Sequence, residues 1–140
     1  MGRSRHPVAP VVALALMAGA GGCAPAAPEA AGQPDARAPA YLGVETAVLS
    51  ADLVNMVVRM RDPEDAAAVE AYARCAAAGF ALGQGMSFLR HVRTKTGTEP
   101  GGVVTADAVF TMSAALPEGV RPLDAEVVAA DCAGLGIPTV

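Results

Sequence analysis

Two short alternating runs open the part of the chain able to fold. From Tyr41 to Leu49, the residues Leu42, Val44, Thr46 and Val48 fall on one side, and after Ser50-Ala51-Asp52 the alternation resumes in Val54, Met56, Val58 and Met60, with Asn55 and Arg59 between. A period of two argues for half-buried strands and the polar triplet supplies turn chemistry, so a hairpin is expected. The period then changes. Val69, Tyr72, Ala73, Ala76 and Phe80 recur at three- and four-residue spacing, which predicts a helix with one buried stripe. Asp62-Pro63-Glu64-Asp65 supplies its start: the Asp62 carboxylate can accept from free N–H groups, Pro63 lacks a donor that would be orphaned, and the acids suit the positive end of the helix dipole. Gly83-Gln84-Gly85 ends it.

Ser87 to Lys95 reads as a strand, Gly97 to Gly102 around Pro100 as a loop, and Val103 to Met112 as a strand with Val104, Ala106, Ala108, Phe110 and Met112 inward. Pro117-Glu118-Gly119 breaks the pattern, Leu123 to Ala130 reads as a final strand, and Asp131 to Gly134 as a short turn or helical piece. The order β-β-α-β-β-β predicts an α+β domain over residues 41–140, a two-layer antiparallel sheet with one long helix packed on one face. Met56, Met60, Met86 and Met112 read as core filler, since no Met-x-x-Met clustering is present.

The first 22 residues differ in kind. A basic stretch, Met1 to His6 with Arg3 and Arg5, precedes an uncharged stretch from Pro7 to Gly22, the layout of a secretory signal peptide. Sixteen helical residues reach roughly 24 Å, short of the ~30 Å hydrocarbon core, so a cleaved signal is expected in place of a spanning helix. The stretch ends Ala18-Gly19-Ala20-Gly21-Gly22-Cys23-Ala24-Pro25, which resembles the lipobox of bacterial lipoproteins. The resemblance implies that Cys23 receives a diacylglycerol, that cleavage precedes it, and that the new amino group is acylated. Ala24, where that family often carries an inner-membrane-retaining Asp, implies an outer-membrane lipoprotein facing the periplasm. Ordinary cleavage after Ala20 would instead release a soluble periplasmic protein. Residues 23–40 then form an anchor and tether, with Pro25, Pro28, Pro34 and Pro39 spaced so that no helix or sheet propagates.

Composition narrows the partners. The 140 residues are 53% hydrophobic, but Ala and Val carry much of this and no apolar run of about 20 residues occurs beyond the N-terminus, which excludes a polytopic membrane protein. The net charge of −4 lacks the basic footprint that nucleic acid requires. The Tyr72-Ala73-Arg74-Cys75-Ala76-Ala77-Ala78-Gly79-Phe80 helix and the element order resemble small uncharacterised proteobacterial envelope lipoproteins, a likeness that implies no activity.

Three features carry candidate chemistry. With Cys23 acylated, Cys75 and Cys132 remain in an oxidising compartment, where two thiols in one small domain usually pair. The alternative makes Cys75, Cys132 and His91 metal ligands, with Asp131 as a fourth, although no C-x-x-C or H-x-x-x-H spacing is present. His91 is the one histidine after cleavage, and Arg90, His91, Arg93 and Lys95 form a candidate anion-binding patch, with His91, Arg93 and Lys95 expected on one strand face. A hydrolase would need His91 beside a carboxylate such as Asp107, but no nucleophile motif accompanies it, and no catalytic residue is expected. The expectation is thus a non-enzymatic, lipid-anchored envelope protein with no cofactor, contacting the membrane through its anchor and another envelope protein through the sheet. The alternative is a periplasmic ligand- or metal-binding module.

Overall fold

The computed structural model describes residues 37–119 and 121–140. The signal segment, Cys23 and the tether as far as residue 36 lie outside the described residues. Strands β1 (Ala40–Ser50) and β2 (Leu53–Arg61) form the expected hairpin. Helix α1 (Ala66–Gly83) follows, then the hairpin β3 (Phe88–Glu99) and β4 (Val103–Ser113), the two-residue β5 (Leu123–Asp124), and a second helix, α2 (Ala125–Leu135). The five strands make one antiparallel sheet in the order β1-β2-β4-β3-β5.

β4 joins the second hairpin to the first by pairing with β2, because its inward row matches that of β2. Val54, Met56, Val58 and Met60 stand opposite Phe110, Ala108, Ala106 and Val104. All but the half-buried Val104 are sealed from solvent, and α1 covers them with Val69, Tyr72, Ala73, Ala76 and Ala81. Met112 belongs to the same core, with Met86 packed against it. β1 departs from plain alternation at a register shift between Tyr41 and Gly43. Gly43 takes φ 126°, where only glycine is comfortable, and the shift removes Leu42 from the inward row and puts Tyr41 there, opposite Met60. The Tyr41 ring then meets Tyr72 of α1 edge-on, centroids 4.8 Å apart.

The start of α1 lies three residues later than Asp62. Asp65 is the N-cap, its Oδ1 accepting from Ala68 N at 2.9 Å. Asp62 has φ 49° and its N–H donates to Gly102 O at 2.9 Å, so it ties the end of β2 to the β3–β4 turn and is not available to the helix. The stop is as expected. Gly85 is left-handed, its N–H donates to Leu82 O and that of Met86 to Ala81 O, which closes the last turn on its own carbonyls. β3 runs on through Gly97 to Glu99 because Thr96, Gly97 and Thr98 all find partners in β4, and only Pro100–Gly102 turn.

The expected last strand is mostly helix. Only Leu123 and Asp124 pair, with Leu89 and Phe88 of β3, before Asp124 caps α2 by accepting from Glu126 N and Val127 N. Ala125, Val128 and Cys132 turn inward at helical spacing, whereas Val127, which alternation would bury, is 58% exposed. Gly136 ends the helix in the left-handed region. α2 lies against α1, and Cys75 and Cys132 are joined by a disulfide with Cα atoms 5.9 Å apart. Gly79 of α1 admits the side chain of Thr139 and the backbone of Val140, which any Cβ there would displace. The architecture is therefore α+β, with a five-stranded antiparallel sheet and two helices in place of one.

Asp65→Ala removes the cap of α1 and is expected to cost about 1 kcal/mol in urea unfolding; an unchanged midpoint would return the capping role to Asp62. Burial pushes the Tyr72 phenol above its ordinary 10.0, a backbone hydrogen bond with Gly43 opposing and Tyr41 adding to the shift. The stability this neutral phenol contributes is fully present below pH 10 and declines as pH rises through the higher folded value. Alkaline unfolding curves of Tyr72→Phe should therefore fall less steeply above pH 10 than those of the parent, and equal slopes would refute the assignment.

Candidate functional site

The chemistry-bearing residues are distributed by one irregularity in β3. The register shifts between His91 and Arg93, leaving Val92 as an extra residue, half exposed. Because strand side chains alternate with a period of two, one inserted residue reverses the faces beyond it. His91 pairs with Phe110 on the helix-covered face, ring centroids 5.3 Å apart, while Arg93 and Lys95 pair with Val109 and Asp107 on the opposite face. His91, Arg93 and Lys95 thus do not share a face. The expected patch is divided.

On the outer face Asp107 gathers the polar contacts. It accepts from Asn55 Nδ2 at 2.5 Å and from Arg93 Nη1 at 3.4 Å. Arg59 and Glu99 form a second exposed pair nearby. Such exposed pairs contribute little stability but leave those cations matched. Asp107 and His91, the pair a hydrolase would need, stand on opposite faces of the sheet.

On the inner face His91 borders a cleft of about 540 Å³ between α1 and β3. Glu70 and Arg74, one helical turn apart, form the α1 wall. β3 contributes Arg90, His91 and Thr94, and Phe110 of β4 closes the floor. Arg121 and Leu123 complete the rim, held there because Leu123 pairs with Leu89 and Asp124 caps α2. His91 Nε2 and Thr94 Oγ1 lie 2.7 Å apart, a hydrogen bond that orients the imidazole. Among the described residues Arg74, Arg90 and Arg121 have no carboxylate within ion-pair distance, in contrast to Arg59 and Arg93.

Of the expected patch, His91 faces this cleft; Arg90 borders it, but its pairing with Thr111 puts it by alternation on the outer face with Arg93 and Lys95. Reading the sequence missed Glu70, Arg74, Phe110 and Arg121 as its neighbours. The Glu70-x-x-x-Arg74 spacing beside the apolar stripe was a visible signal for the helix wall, whereas the placement of Arg121 depends on the pairing of β5. The proposed metal set is not assembled. Cys75 and Cys132 are bonded to each other, and among the described residues no three His, Cys, Asp or Glu side chains are grouped so as to hold a metal ion. A second cavity of about 400 Å³ lies between α1 and α2 around the disulfide, lined chiefly by apolar residues including Val127, Val128 and Leu135.

These features define a small helix-on-sheet α+β domain with a cationic cleft on one flank. Residues 41–136 match the YNQ4 C-terminal domain, and the chain belongs to that family. Over 104 residues it is 32% identical to the "Uncharacterized 26.9 kDa protein in nqo8 5'region" of Paracoccus denitrificans, a match covering 70% of this chain and 40% of that protein. The chain therefore spans less than half the length of this relative. The proteobacterial kinship implied by the Tyr72–Phe80 helix is thus supported. No solved structure matches the chain.

The division of faces has an NMR readout. Phe110→Leu should move the His91 ring-proton resonances by removing an aromatic neighbour, while Asp107→Asn should move the signals of Asn55 and Arg93 and leave His91 in place. The reverse pattern would put His91 on the outer face.

Proposed function

We propose that this chain is an exported envelope protein, anchored by lipid at Cys23 on the periplasmic side of the outer membrane, whose domain serves a non-enzymatic binding or structural role. The observation that carries the reading is the Cys75–Cys132 bond. Such bonds persist in oxidising compartments and are rare among cytosolic proteins. The basic, apolar and small-residue order of the first 22 residues, ending at Cys23, supports the same destination. Two or more acyl chains would hold the domain at a bilayer without help from its surface, at about 0.8 kcal/mol per buried CH₂.

The non-enzymatic role is supported by the separation of His91 from Asp107 and by the engagement of both domain cysteines with each other. The bond would also stabilise a lean core. Closing a loop of this length contributes about 4 kcal/mol in the chain-entropy description, in a domain whose total is on the order of 5 to 15 kcal/mol.

Labelled palmitate should enter the wild-type protein in its native host and not Cys23→Ala. Intact mass of the same material should show two hydrogen atoms fewer than the dithiol form. A protein retained in the cytosol with its first 22 residues and two free domain thiols would overturn the reading.

A further inference from the structure

The cleft has a composition that the rest of the surface does not share. The chain carries net −4, yet two arginines from separate elements, Arg74 and Arg121, border one cavity with a single carboxylate, Glu70, among its lining residues, and Arg90 lies at its rim. Cations gathered in a concave site with low-dielectric walls focus their field on it. Two other cations of the described sheet are paired, Arg59 with Glu99 and Arg93 with Asp107, while Arg61 and Lys95 stand exposed outside the cleft. Arg74 and Arg121 have no carboxylate within ion-pair distance among the described residues, and a guanidinium presents its donors in a planar fork that fits carboxylate or phosphate oxygens two at a time. The remaining wall is apolar or aromatic, from Leu123, Phe110 and the ring of His91, which Thr94 holds in one orientation. A volume of about 540 Å³ lies in the range of small-molecule sites, where an apolar wall with a few convergent polar groups is the usual design.

We propose that the cleft between α1 and β3 binds a small organic anion, its phosphate or carboxylate oxygens held by Arg74 and Arg121 and its apolar body lying against Leu123 and the His91–Phe110 floor. Glu70, one turn from Arg74 on the same α1 wall, disfavours a second anionic group beside it. The site stands apart from the question of anchoring, since none of its residues belongs to the N-terminal segment. Two sources offer this chemistry: a soluble metabolite, or the headgroup of an anionic lipid in the bilayer to which the chain would be tethered.

Phenyl phosphate is the first probe, titrated into the full-length Cys23→Ala chain and followed through the His91 and Arg side-chain resonances. Saturable binding is expected, weakened at least tenfold in Arg74→Gln/Arg121→Gln and unchanged in Arg93→Gln/Lys95→Gln, whose charges lie on the other face. All these side chains are exposed, so melting temperatures should stay together, and that measurement separates lost binding from lost folding. Benzylamine, which has the same ring and the opposite charge, should not compete. Phosphatidylglycerol vesicles distinguish the sources: displacement of phenyl phosphate that depends on Arg74 and Arg121 assigns a lipid headgroup, and absence of displacement assigns a soluble anion. The proposal is overturned if phenyl phosphate shows no saturable binding, if the Arg74→Gln/Arg121→Gln protein binds it equally well, or if benzylamine binds as tightly.

Discussion

A single helix about 10 Å across can cover roughly two strands spaced about 4.8 Å apart, and this domain asks α1 to cover four. The two central strands receive that cover. Val54, Met56 and Val58 on β2, with Ala106, Ala108 and Phe110 on β4, are almost entirely removed from water. The flanking strands share it only in part: on β1 the inward row fades from a half-buried Val44 to Val48 at 61% exposure, and on β3 it turns polar after the buried Leu89, as His91, Thr94, Thr96 and Thr98. The small side chains of α1 suit this arrangement, because alanines at 73, 76, 77, 78 and 81 provide close packing without filling the flanks. A cleft over β3 is thus the consequence of covering a sheet wider than its helix, and the residues bordering it are those that the core cannot use.

Local backbone geometry then decides which charges enter that space. A plain alternation through β3 would have put His91, Arg93 and Lys95 together on one surface, a basic stripe on an otherwise acidic protein. The extra residue at Val92 separates them. Arg93 and Lys95 go to the side where Asp107 can offset them, and His91 goes to the side where Phe110 and Thr94 fix its ring. The cations of the cleft come instead from outside the strand row, Arg74 from α1 and Arg121 from the approach to β5, with Arg90 of β3 at the rim.

How far the amino-acid order discloses this depends on the range of the interaction concerned. The first hairpin and α1 were legible because their burial has a strict period, visible in Val54 to Met60 and in Val69 to Ala76. The capping residue was less so: Asp62 and Asp65 are equally suited chemically, and the choice was made by a contact with Gly102, forty residues away. The alternation of Leu123 to Val127 imitates a strand where α2 begins, although Asp124, Glu126 and Gly136 carry helix start and stop chemistry and Ala125 and Cys132 are seven residues apart. Bulges at Leu42 and Val92 have no composition that separates them from ordinary strand residues, so the exchange of Leu42 for Tyr41 and the division of the basic patch were not legible. In the cleft only Arg90 and His91 could be named in advance, since Arg121 reaches it through a pairing of two residues.

That short pairing makes the disulfide relevant to the cleft as well as to the core. β5 supplies only Leu123 and Asp124 to the sheet, too little to hold a segment that follows a Pro- and Gly-containing turn. The next residue begins α2, and Cys132 on that helix is bonded to Cys75 on α1, one residue beyond Arg74. The covalent link therefore fastens α2 to the same stretch of helix that forms the opposite wall. Through the Asp124 cap it restrains Leu123 and Arg121, and a domain with three phenylalanines, two tyrosines and no tryptophan has little other packing with which to do so. The two walls of the cleft keep their separation for the same reason that the two helices stay together.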